Sequence, residues 1–166
     1  MITRNVKKLV LIALLLGAYW FFGNLYEAIA MIPNHIFDPV TAVAGYKSYF
    51  IFSGPTFYFV PLTQFGFLAL LLAWYGMQEA DLKAVLARGA ISMGAALVLT
   101  ALIVTQIHER FFAFENAANG EMLRTLALAL FIANIGRLLL VGYAVNCLLA
   151  VYVNLGQPTA AQTDAR

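Results

Sequence analysis

The chain has 166 residues, 63% of them hydrophobic and only 11% charged, where an ordinary soluble domain carries roughly 45–50% and 25%. Ten Lys and Arg with eight Asp and Glu leave a net charge of +2 and too few charges to cover a soluble surface. A soluble enzyme, a nucleic-acid binder and a disordered chain are thereby excluded, and the length fits four bilayer crossings of about 20 apolar residues each.

The first apolar run, Leu9 to Ile32, follows Arg4, Lys7 and Lys8, and Ala28-Ile29-Ala30 offers a small-x-small cleavage pattern. The run exceeds the roughly 7–15 residues of a signal-peptide core, so it reads as an uncleaved first helix that Pro33 stops. Asn34 to Pro55 is too polar and too broken by Pro39, Gly45 and Gly54 to span a bilayer, yet it carries Phe37, Tyr46, Tyr49, Phe50 and Phe52. Aromatic rings favour the headgroup level, so this segment is expected at the interface, as a belt or a lid.

A second span is expected from Thr56 to Tyr75, with Pro61 in its early turns, followed by a polar turn from Gln78 to Lys83. The third, Gly89 to Ile107, opens on small residues from Gly89 to Ala96 that let helices approach closely in lipid. His108 to Arg124 reads as a loop with frayed helix ends and Leu126 to Val153 as the fourth span. The fold class is therefore all-α, a four-helix transmembrane bundle over residues 1–155 with an interfacial segment between its first two helices. Residues 156–166 form a polar tail expected to be mobile. Arg4, Lys7, Lys8, Lys83, Arg88 and Arg166 flank one side, against Lys47, Arg110 and Arg124 on the other, which predicts cytoplasmic N- and C-termini.

Within such spans a polar side chain needs a reason. The ionisable and amide side chains singled out there are Asn24, Glu27, Gln64, Asn134, Arg137 and Asn146. At about 1.5 Å per residue, Glu27 lies roughly 28 Å beyond Lys8 and Arg137 roughly 24 Å before Val153, so both reach the outer half of the bundle. Asn24 with Glu27, and Asn134 with Arg137, are each three apart on one helix face, and a Glu27–Arg137 ion pair is the economical arrangement. Two readings stay open for that pair: a tie between helices, or part of a site.

His35 and His108 fall beyond the outer ends of the first and third spans with Glu109 and Glu115 nearby, as interfacial caps or as catalytic groups. A metal held by His35 and His108 with Glu27 and Glu109 is a further option without any recognised ligand spacing, so no metal ligand is assigned. Asn34, Tyr58 and Gln64 belong to the same half, whereas the inner half contributes only Ser92, Asn146 and Cys147. The single cysteine, Cys147, lies in hydrocarbon and is expected to be unreactive. The sequence thus describes a bundle dry at one end and polar at the other, a mouth for a small ligand.

Three segments, Asn24 to Asn34, Gly54 to Leu62 and Asn134 to Leu140, make the chain resemble the four-helix DUF1772 family, to which anthrone oxygenases of aromatic polyketide pathways belong. The resemblance covers residues 9 to 153 and matches Tyr26, Glu27, Pro33, Asn34, Tyr58, Pro61, Asn134 and Arg137. It implies oxidation of anthrones by molecular oxygen with no flavin, haem or established metal required. On this reading Glu27 or His35 is the base, and Arg137 with Asn134 stabilises an oxyanion. Asn24, Tyr26, Asn34, Tyr58, Gln64 and His108 complete the ligand pocket. Its partners are membrane lipid and a lipophilic aromatic or quinol-like molecule. The alternative is a non-catalytic subunit or lipid-binding module, in a homo-oligomer or larger membrane complex, whose polar cluster keeps helices in register.

Overall fold

The computed structural model describes residues 2–49, 55–111, 113 and 119–156, and of residues 2–4 and 55–58 the backbone alone. The described chain is all-α. Helix α1 (Ile2–Tyr26) passes through a π turn (Glu27–Met31) into α2 (Ile32–Phe37), and α3 (Pro39–Tyr49) follows. Then come α4 (Pro55–Gly76), α5 (Ala80–Leu102), a second π turn (Ile103–His108), α6 (Glu109–Phe111) and α7 (Gly120–Asn154). Four continuous helical stretches, Asn5–Phe37, Phe59–Gly76, Ala80–Phe111 and Gly120–Asn154, are long and apolar enough to cross a membrane, which makes this a multi-pass membrane protein. α1 packs on α4 and α7, and α5 packs on the same two, so the four close into a ring with α1 opposite α5.

Pro33 does not end the first helix. It occupies the opening turn of α2, where a missing N–H costs least. The π turn before it widens the backbone where a proline ring would otherwise press on the carbonyl four residues back. There Ile32 N–H donates five residues back to Glu27 O, and Asn34 Nδ2 donates to Ala30 O at 2.7 Å.

The segment after Asn34 is largely helical. Asp38 Oδ1 accepts from Thr41 N–H at 3.4 Å and Pro39 opens α3, a favoured pairing at a helix start. Val43 then docks α3 onto a cluster of Phe111, Leu123 and Ala127. Phe50 and Phe52, expected in the aromatic belt, lie outside the described residues.

The third and fourth helices start earlier than hydropathy indicates, at Ala80 and Gly120, and the third runs on to Phe111. Hydropathy trims a span at its charged residues, whereas the hydrogen-bond ladder continues through them. Asp81 and Glu121 sit in the first turns of α5 and α7, where the helix dipole favours negative charge. Asn119 Oδ1 caps α7 by accepting from Met122 N–H at 3.1 Å. The polar tail beyond Gly156 lies outside the described residues.

The half of the bundle nearer the chain ends is dry, with Val10, Leu70, Leu86, Met93, Val141 and Leu148 fully buried in one core. Small residues set its helix separations. A Cβ on Gly89 would lie 3.2 Å from Cys147 Cβ, and Ser92 Oγ donates to Leu140 O at 2.8 Å, so α5 and α7 approach closely. Gly66 brings α4 onto Leu16 of α1 in the same way.

Candidate functional site

Above that core the packing changes. The π turns of the first and third helices carry Glu27 as the first residue of one and His108 as the last of the other. Such turns are rare, and they recur where a helix must re-aim a side chain at a functional position. Here they bring His108 Nε2 within 3.9 Å of Glu27 Oε1. The other carboxylate oxygen accepts from Arg137 Nη2 at 2.5 Å, so the ion pair expected from helical counting is formed.

Arg137 does not hold its position alone. Asn134, one turn earlier on α7, accepts through Oδ1 from Nε at 3.1 Å and from Nη2 at 2.7 Å. Asn134 is fully buried, and its Nδ2 donates across the interface to Asn24 O at 3.0 Å. The two amide-plus-charge faces are thus joined through a backbone carbonyl as well as through the ion pair. Nη1 of Arg137 is left with no hydrogen bond among the described residues.

These groups face a cavity with an empty volume of about 1030 Å³, part of it open to the outside. Trp20 lines its inner end, while Gly23, Phe59, Val60, Val104 and Leu130 form apolar walls. Thr63 and Thr100 line it too, but their hydroxyls donate to carbonyls of their own helices, Val60 O and Ala96 O. The polar character therefore comes from Asn24, Glu27, His35, Tyr46, His108 and Arg137. Tyr46, on α3, keeps its proton to higher pH than a free phenol, first because it is buried and then because the Glu27 carboxylate is near.

The expected site residues separate accordingly. Asn24, Glu27, His35, His108 and Arg137 converge on the cavity, and Asn134 supports them from behind. Tyr26 reaches its rim but is 65% exposed. Two corrections concern the rest. Gln64 is exposed on the outer face of α4, and Asn34 is exposed with its amide on Ala30 O; neither lines the cavity. Tyr58's side chain lies outside the described residues. His108 is a helical residue of the bundle and not part of a loop.

No group of three or more His, Cys, Asp or Glu side chains among the described residues is gathered as a metal would require, so the His35–His108 option has no third ligand there. Sequence reasoning missed Trp20, Phe59 and Gly23. A Cβ on Gly23 would overlap the Phe59 ring, so the glycine is what lets that ring form a wall. Phe59 lies inside a segment already singled out; Gly23 adjoins Asn24 but carried no signal of its own.

Comparison of the chain with family models, with curated proteins and with solved structures finds no match.

Proposed function

We propose that this protein binds a flat, lipophilic molecule from the membrane and removes a proton from it, as the first step of its oxidation by molecular oxygen. The observation that carries the reading is the Glu27 carboxylate, fixed by Arg137 on one oxygen and facing His108 with the other, at the wall of a largely apolar cavity. A carboxylate beside an imidazole takes up a proton and balances the charge that results. Arg137 Nη1 offers two N–H groups to an oxygen on which negative charge develops.

The resemblance to the anthrone oxygenases supplies the remaining chemistry. A methylene between two aromatic rings loses a proton to the Glu27–His108 pair, leaving an anion whose charge rests on the ring-ketone oxygen beside Arg137. That electron-rich carbon bonds to O2 and gives a hydroperoxide; loss of water forms the new carbonyl. The sum is CH2 + O2 → C=O + H2O, with no external reductant.

The test is anthrone oxidation by the protein in lipid nanodiscs, read as oxygen uptake and anthraquinone absorbance above the rate in empty nanodiscs. Glu27→Gln and His108→Asn are each expected to lower the rate about a hundredfold or more. A wild-type rate no higher than that of empty discs removes the oxidation step. Tight binding without turnover then leaves a lipid- or quinol-binding module.

A further inference from the structure

Two buried polar atoms on the cavity wall have no hydrogen-bond partner among the described residues, Asn24 Nδ2 and His35 Nε2. Asn24 belongs to the cluster around Arg137. His35 is 7% exposed, on α2, with its ring edge-on to Phe111 at 5.0 Å and to Tyr46 at 6.3 Å.

The chemistry at its two nitrogens follows from one contact. Nδ1 lies 2.9 Å from Met31 O, and a carbonyl oxygen can only accept, so Nδ1 carries a proton. In the neutral ring Nε2 then holds a bare lone pair. A buried acceptor with no donor is destabilising, and native bundles rarely keep one without a use.

We propose that His35 Nε2 accepts a hydrogen bond from a hydroxyl group of the bound molecule. This rests on the reading above that the cavity takes a flat ring system. Glu27 and His35 lie about two turns apart on the first membrane-crossing helix and line the same cavity, so a molecule held at Glu27 and Arg137 can also present a hydroxyl to His35. The rings of Phe111 and Tyr46 pack edgewise near the imidazole and hold it in place, so the lone pair of Nε2 is what His35 offers to a hydroxyl donor. His35 is thereby a specificity-determining residue and not the base.

The experiment uses the full chain in nanodiscs as the Trp74→Phe variant, so that Trp20 on the cavity wall is its only tryptophan and reports binding by fluorescence quenching. The probes are anthraquinone, 2,6-dihydroxyanthraquinone and 2,6-dimethoxyanthraquinone. The dihydroxy compound is expected to bind about tenfold more tightly than either of the others, since the methoxy oxygen cannot donate. His35→Phe is expected to abolish that preference, so that the dihydroxy and dimethoxy compounds bind that variant equally. Equal affinity for all three in the Trp74→Phe protein overturns the proposal and points to water as the partner of Nε2. A hydroxyl preference that survives His35→Phe overturns it as well. If His35→Phe does not fold, the hydroxyl-against-methoxy comparison in the Trp74→Phe protein still decides. Absence of quenching by any probe overturns the ring-binding reading itself, and this proposal with it.

Discussion

Asn134 and Arg137 are fastened to each other before either reaches a neighbouring helix. One amide oxygen takes two guanidinium N–H bonds, at 3.1 and 2.7 Å, within a single turn of α7. The guanidinium therefore meets Glu27 already oriented, and a flexible cation becomes a fixed donor pair.

The first prediction follows from that arrangement. Glu27→Gln and Arg137→Met each strand the opposite charge in a low-dielectric interior, which costs about 3–5 kcal/mol, whereas the double substitution recovers much of the loss. Thermal unfolding in one detergent measures it. Additive losses in the double variant would show that the pair contributes no coupling.

A second prediction concerns the cavity wall. In Gly23→Ala the new methyl overlaps the Phe59 ring, which is stacked on Tyr19 at a centroid distance of 5.2 Å. Displacing that ring is expected to cost about 1–3 kcal/mol and to weaken anthraquinone binding. Phe59→Leu added to Gly23→Ala should restore part of the stability, and a double variant no better than the single would discount the overlap.

Alkaline pH gives a third. Folding raises the Tyr46 proton affinity above its ordinary value of 10.0, through burial and then the Glu27 charge. The folded state thus binds this proton more tightly than the unfolded one. Its contribution is complete below the unfolded value and is lost as pH rises through the folded value. Tyr46→Phe is expected to flatten the alkaline decline in melting temperature and to remove one late-titrating phenolate from the 295 nm absorbance. An unchanged decline counts against a perturbed Tyr46.

Topology is the fourth. With both termini cytoplasmic, Lys47→Cys labels from outside with an impermeant maleimide and Lys83→Cys does not. A Cys147→Ala background removes the one native thiol, which is buried against Gly89. Labelling of the second position alone would reverse the orientation.

The four helices and the Glu27–Arg137 contact were legible in the sequence because both depend on length and depth, which helical rise converts directly into position. The direction of Gln64 was not. α4 is apolar all round, so no stripe distinguishes the side facing α1 from the side facing lipid, and Gln64 turns outward. His108 was misplaced for a different reason: a π turn preserves the helix through a polar stretch that hydropathy reads as its end. Pro33 misled in the same manner, since a proline ends a helix only where the backbone before it is held to α geometry.

Glu27 and Arg137 lie 110 residues apart in the chain, on the first and last membrane-crossing helices. At a synthesis rate of about 5–20 residues per second, the carboxylate is incorporated roughly 5–20 s before its partner. During that interval the first helix carries an uncompensated acid, and a chain cut short after α5 never acquires the cation. Completion of the last helix thus both closes the ring and supplies the cation that pairs with this acid.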